Sequence, residues 1–149
     1  MRMILRAAAP TDAEEIARLT ALLGYRPAPD SVRTRLRRFA ADEDHHVLVA
    51  AEGERVLGWI HVALRASVES DTWAEILGFV VDEDARGRGT GGELLEASCD
   101  WAGRRGAGRM RVRSRSERRS AHRFYEARGF AWVKAQPVMD LDRGEGRRA

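Results

Sequence analysis

The chain carries one cysteine, Cys99, and one lysine, Lys134, in 149 residues. A single thiol excludes an internal disulfide framework and cannot supply a thiolate zinc cluster, so a cytoplasmic location is the expectation. Four prolines and 14 glycines act as local punctuation and not as low-complexity sequence. Aromatic residues are sparse, and Phe124, Tyr125 and Trp132 form no repeated stacking module of the kind that reads single-stranded RNA. Long apolar runs are missing too. The opening Met-Arg-Met-Ile-Leu-Arg breaks at once into a polar pattern, so neither a signal peptide's apolar stretch nor a membrane span is expected. What is present, 44% hydrophobic and 33% charged residues, fits a soluble globular protein. A chain of this length buries roughly 68–70% of its unfolded surface unaided. One domain over 1–149 is expected, with about 143–149 as a tail.

Charge is polarised along the sequence. Of 26 basic residues 25 are arginines, and nine lie between Arg104 and Arg123 against one acid, Glu117. That window carries +8 within a net charge of +3, which leaves the remainder at −5. Such clustering suggests a local anionic ligand more than a protein wrapped in nucleic acid. A compositional bias toward arginine on solvated faces gives the same pattern.

The pass along the chain begins with a short strand at Met3–Arg6, ended by Pro10-Thr11-Asp12. Thr11 is positioned to cap a helix with apolar positions at Ala13, Ile16, Ala17, Leu19, Leu22 and Leu23, ended by Gly24. Asp30 or Ser31 can cap a second helix through Val32, Leu36 and Phe39. Strands follow at His45–Ala51 and Val56–Leu64, joined by Glu52-Gly53-Glu54-Arg55, and at Trp73–Val81, whose apolar density suits burial on both faces. Gly91–Gly106 reads as a helix in which Cys99 shares an apolar stripe with Leu95 and Ala102. A strand at Arg109–Arg113, a helix at Ser120–Arg128 and a terminal strand or hairpin within Phe130–Leu141 complete the order βααβββαβαβ. This is an α/β (α+β) pattern, a mixed sheet covered by helices.

Arg86-Gly87-Arg88-Gly89-Thr90-Gly91 lies between a strand and a helix. Gly89 and Gly91 permit close approach or positive φ, which turns backbone N–H groups toward one concavity at the positive end of the following helix. A plain turn with a helix cap also fits these residues. The loop is neither a nucleotide P-loop, which needs Gly-Lys-Ser/Thr, nor the dinucleotide fingerprint G-x-G-x-x-G.

The loop resembles the acetyl-CoA segment Q/R-x-x-G-x-G/A of the GCN5-related N-acetyltransferase (GNAT) superfamily, with Arg86, Gly89 and Gly91 on its defining positions. Farther along, Ala121-His122-Arg123-Phe124-Tyr125-Glu126-Ala127-Arg128-Gly129-Phe130 resembles that family's late A-x-x-F-Y-x-x-x-G-F segment. The resemblance extends over nearly the whole chain. It implies the GNAT acyl-CoA N-acyltransferase fold, acetyl-CoA as cosubstrate and no metal. Backbone around Arg88, Gly89, Thr90, Gly91 and Gly92, with Arg86 and Gly87, would hold the pyrophosphate. Phe79, Val80 and Val81 would splay from the next strand and pair with the pantetheine arm. Ser114-Arg115 stands where relatives often carry Ser-Asn, and Arg118 where others carry Asn, so Ser114 or Arg118 substitutes for the family's amide contact, with Phe124 beside the cofactor. A homodimer is common in the family.

Direct transfer in a ternary complex is expected, because no convincing nucleophile for an acyl-enzyme appears. Tyr125 matches the family tyrosine aimed at the cofactor sulfur and is the candidate general acid. Glu75 is the candidate base: it lies eleven residues before Arg86, the offset of the catalytic glutamate in the histone-modifying branch, inside an otherwise apolar run. His61 and Asp71 are alternatives for that proton, and an N–H near Val80 or Val81 is the expected oxyanion donor. His122 is expected to be structural or cofactor-adjacent, and His45-His46 lacks an acidic ligand cluster for a metal. The acceptor reads as a small-molecule amine, with the acidic remainder favouring a cationic one, and neither nucleic acid nor membrane is expected as a partner. A protein N-terminus or lysine is the alternative acceptor. A non-catalytic acyl-CoA-sensing or nucleic-acid-interacting protein is the alternative of a different class.

Overall fold

Strand β1 (Ile4–Ala7) runs into a 3-10 turn at Pro10–Asp12 and then α1 (Ala13–Thr20). Asp12, not Thr11, organises this entry: its carboxylate accepts the Ala9 N–H at 2.7 Å and is gripped by both terminal nitrogens of Arg6 at 2.7 and 2.9 Å. A carboxylate serves both bonds at once, which a threonine hydroxyl cannot do as well. Helix α2 (Pro29–Ala40) has Ala28 at its N-cap, not the expected Asp30 or Ser31. Pro29 takes its first turn, where the missing N–H costs nothing.

In this computed structural model residues 2–113 and 119–144 are described, and the chain divides into two compact units, Met1–Val112 and Arg113–Ala149. The first holds a five-stranded sheet in the order β1-β2-β3-β4-β5, with β2 (His45–Glu52), β3 (Arg55–Ser67), β4 (Ser70–Val81) and β5 (Met110–Val112). Every neighbouring pair is antiparallel except β4 and β5, which are parallel and joined through α3 (Thr90–Arg104). The mixed sheet flanked by helices is the expected fold class. Strands β3 and β4 reach farther than their apolar runs, to Ser67 and Ser70, because the hairpin ladder carries polar residues past the edge of the helical cover.

Each sheet face has its own core. Ala13, Ile16 and Leu19 of α1 and Val32 and Leu36 of α2 pack with Val49, Ala51, Val56 and Val80 on one face, with Trp59 alongside. On the other face α3 buries Leu94, Leu95, Ser98, Trp101 and Ala102. Gly58 lets α3 approach, since a Cβ there would stand 3.2 Å from Leu94 Cδ1 and 3.0 Å from the Val80 oxygen. Complete burial of Leu94 contributes about 1.5–3 kcal/mol. Cys99 does not join this stripe. Ser98 turns inward in its place and bonds the Leu94 carbonyl at 2.9 Å, while Cys99 falls on the exposed side of the helix. Partial shelter of the sulfur, then the carboxylates of Asp100 and Glu96, push its thiol up, away from nucleophilic use.

The second unit contains α4 (Arg119–Glu126), followed by the turn at Ala127–Gly129. The terminal strand or hairpin expected within Phe130–Leu141 does not form: no strand or pairing occurs there, and Trp132, Val133, Val138, Met139 and Leu141 are exposed. Pro137, which lacks an N–H, interrupts any ladder through that segment.

Candidate active site

The Arg86–Gly91 loop leaves the end of β4 through a 3-10 turn at Glu83–Ala85. Positive φ falls at Gly87 (+81°) and Gly89 (+80°), whereas Gly91, for which close approach or positive φ is the expectation, lies in the first turn of α3. The first helical bond runs from the Glu93 N–H to the Gly89 carbonyl, and no side chain caps the helix. The N–H groups of Thr90, Gly91 and Gly92 thus form a donor set at the positive end of a 15-residue helix. Arg88 lies 4.0 Å from Glu52, and buried Thr90 directs its hydroxyl to Met3 Sδ at 3.5 Å.

Strand β4 carries Glu75, the expected base, on the far side of a bulge from the loop. His61 is the register partner of Gly78 and Val62 of Ile76, so Leu77 is the extra residue on β4. Glu75 pairs in register with Ala63, two residues from His61 on β3, and the bulge therefore puts Glu75, Gly78 and His61 on one face. It is the α2 face, because Phe39 of α2 packs its ring 4.5 Å from that of His61. Glu75 is buried and accepts a hydrogen bond from Trp73 Nε1 at 3.3 Å. Among the described residues β5 pairs with Ala74, Glu75 and Ile76 of β4.

His61 has a partner that sequence reasoning passed over. His45, considered only as a metal ligand beside His46, shares a 2.9 Å hydrogen bond between its Nδ1 and His61 Nε2 and stacks on Phe39 at 4.5 Å. Adjacent strand residues point to opposite faces, and His46 accordingly stacks on Trp101 of α3 at 4.9 Å. Burial, then His45 and Arg65, lower the His61 imidazole to about 4, so the ring is neutral at pH 7. Among the described residues no group of three or more His, Cys, Asp or Glu is arranged to hold a metal ion, and no helix is long and apolar enough to cross a membrane.

Tyr125 and Phe124 lie in α4, their rings 5.3 Å apart and edge to face, with Phe130 5.3 Å from Tyr125. Arg128 covers the Phe124 ring at 3.9 Å, and His122 meets Trp132 at 5.5 Å. Ser114 and Arg118 lie outside the described residues.

A mixed sheet with a glycine-rich loop at the head of α3 defines an acyl-CoA N-acyltransferase architecture. The Acetyltransferase (GNAT) family profile matches residues 13–130, and the chain belongs to that family. Acetyl-CoA-dependent acetyl transfer is the family's activity and acetyl-CoA its cosubstrate. Among solved structures, a transcriptional regulator from Bacillus halodurans C-125 is similar, with 25% identity and a TM-score of 0.82 over 94% of this chain and 100% of that one. The aminoglycoside antibiotic 6'-N-acetyltransferase AAC(6')-Ih from Acinetobacter baumannii shares 16% identity, with a TM-score of 0.82 over 96% and 100% of the two chains. Glucosamine-6-phosphate N-acetyltransferase from Arabidopsis thaliana shares 18%, with a TM-score of 0.81 over 95% and 100%. None of the functionally curated proteins matches the sequence.

Proposed function

We propose that the protein acetylates the primary amine of a small molecule by direct transfer from acetyl-CoA in a ternary complex, as a single domain spanning 1–149. The observation that carries this reading is buried Glu75 on the same sheet face as His61, across the Leu77 bulge from the strand end that leads into the Arg86–Gly91 loop. The N–H groups of Thr90, Gly91 and Gly92 would take the pyrophosphate. Phe79, Val80 and Val81 would align the pantetheine arm, with Ser114, Arg118 and Phe124 as further contacts. In the transfer the amine nitrogen bonds to the thioester carbonyl carbon and the carbon–sulfur bond breaks. Glu75 takes the proton lost by the amine, directly or through water. Tyr125, assigned by its motif, gives its phenolic proton to the departing sulfur, and an N–H at Val80 or Val81 stabilises the oxyanion. His61, neutral at pH 7, has a relay or contact role in this reading.

A cytoplasmic homodimer is part of the same proposal, and sedimentation of the purified protein checks the assembly. The supporting experiment is free-CoA release across an amine panel, followed by single-turnover rates against pH for Tyr125→Phe and Glu75→Gln. Loss of the chemical rate in Tyr125→Phe, and a displaced acidic limb in Glu75→Gln, are expected. Parental rates at every pH would remove both assignments. The arginine-rich window and the regulator description of one similar structure favour, as a second reading, an acyl-CoA-sensing or nucleic-acid-interacting protein. Salt-dependent retention on nucleic acid with no thiol release would mark that case.

A further inference from the structure

The face that carries Glu75 is cationic at its β4 end, although the sequence outside the arginine window is acidic. Trp73 precedes Glu75 by two residues, shares its face and bonds it through Nε1. The Arg111 guanidinium lies 5.6 Å from the Trp73 ring centre and that of Arg109 5.9 Å. Arg111 is the parallel register partner of Glu75, and Arg65 is the antiparallel partner of Trp73. Among the described residues none of these three guanidiniums pairs with a carboxylate. Asp71, two residues before Trp73, is the other acid of this stretch. With Ser70, Thr72, Gly106, Gly108 and Arg109 it lines an open cleft of about 640 Å³.

An indole face orders a guanidinium while leaving its N–H fork free, and that fork matches a carboxylate or phosphate. Arginines beside the base would also disfavour the ammonium form of an incoming amine, so more of it arrives neutral. They repel a polycation. Resting on the acetyl-transfer reading above, we propose that the acceptor carries an oxyanion, a carboxylate or a phosphate, in the same molecule as its amine, and that Arg109 and Arg111, ordered by Trp73, bind it with Arg65 on the neighbouring strand. Local charge thus reverses the cationic acceptor expected from the acidic remainder of the sequence.

Thiol release by the full chain with acetyl-CoA tests this on matched acceptors: alanine against alaninamide, O-phosphoethanolamine against ethanolamine, and a simple diamine. The oxyanion-bearing member of one pair is expected to have a kcat/KM about tenfold or more above its neutral partner. Which pair responds identifies the oxyanion. In Arg109→Gln/Arg111→Gln that ratio falls toward one, and in Arg109→Lys/Arg111→Lys, which keeps the charge but not the fork, it falls partway. Equal rates within both pairs, or preference for the diamine, overturn this proposal and leave acetyl transfer standing. Absence of thiol release with every one of these amines overturns acetyl transfer instead. Calorimetry with CoA present and N-acetylalanine or its amide then reads the anion site without turnover. Binding of the acid alone, lost in the glutamine variant, supports the site, and equal or absent binding overturns it.

Discussion

Arg18 Nη1 donates to Asp82 Oδ2 at 2.9 Å, joining α1 to the end of β4 across 64 residues of sequence. The same guanidinium holds Glu15, which accepts the Val56 N–H at 3.0 Å, and Asp82 also receives Arg55 at 3.1 Å and the Asp84 N–H at 3.3 Å. This knot fixes the point from which the Arg86–Gly91 loop departs. Burial of the Asp82 carboxyl favours its neutral form but is outweighed by Arg18 and Arg55, which hold it below the ordinary carboxylate range. Its contribution is therefore present above the unfolded value of about 3.9 and is lost as pH falls through the lower folded value. Asp82→Asn should destabilise the protein by about 1–3 kcal/mol at pH 7, with a smaller gap at pH 3. Urea midpoints at both pH values check this, and equal gaps would contradict it.

His61 sets a second, higher window. Its face meets His45, Arg65 and Phe39, and the imidazole is lowered from 6.5 to about 4, chiefly by burial. The unfolded chain binds a proton there that the folded chain refuses, so stability is full above about 6.5 and declines as pH falls toward 4. The span corresponds to about 3 kcal/mol. His61→Asn should flatten unfolding free energy between these pH values, and an unchanged slope would assign the titration elsewhere. His46, lowered by burial and then by Arg105 and Arg104, adds in the same direction.

Most of this framework was legible because its signals are local. Gly24, Pro29 and Gly53 punctuate the elements, and the apolar periods of α1, α3 and β4 report which faces are buried. Loop and motif pointed to the GNAT family, which the family profile bears out. What escaped is relational. Nothing in the sequence says that His45 on β2 meets His61 on β3, or that Trp73 on β4 sits under Arg111 of β5 and the preceding Arg109, because register is set by pairing between separate strands. The alternate arginines 109 and 111 were the available hint of one cationic strand face. Phe130–Leu141 misled for the converse reason: strand-like composition carries no guarantee of a partner.

Gly78 is a packing requirement. A Cβ at this position would lie 2.5 Å from Trp59 Cη2 and 2.7 Å from Cζ3, so the indole lies flat against bare backbone on the Glu75 face. The indole packs against the α1/α2 core, and its Nε1 is buried without a hydrogen-bond partner among the described residues. Gly78→Ala should cost about 1–3 kcal/mol through displacement of that ring. Trp59→Leu should remove most of the added cost, giving a coupling above about 0.5 kcal/mol in a double-mutant cycle of melting temperatures. Additive losses would place the strain elsewhere.

Gly89 governs the Arg86–Gly91 loop, the proposed pyrophosphate site, through its backbone. With φ at +80° and nothing within 4 Å of where a Cβ would stand, its role is conformational and not steric. A β-branched side chain there faces a left-handed cost of roughly 1–2 kcal/mol. The chain relieves it by rotating the residue that begins α3, which turns the N–H groups of Thr90, Gly91 and Gly92 off their common target. Gly89→Val should therefore weaken acetyl-CoA binding about tenfold or more, the equivalent of about 1.4 kcal/mol, with a melting temperature lowered by only a few degrees. Gly103→Ala, within α3 and equally open, is the control: it should raise stability by about 0.5–1 kcal/mol and leave binding alone. Calorimetric titration of acetyl-CoA into both folded variants decides the matter, and parental affinity in Gly89→Val would move the phosphate site away from this loop.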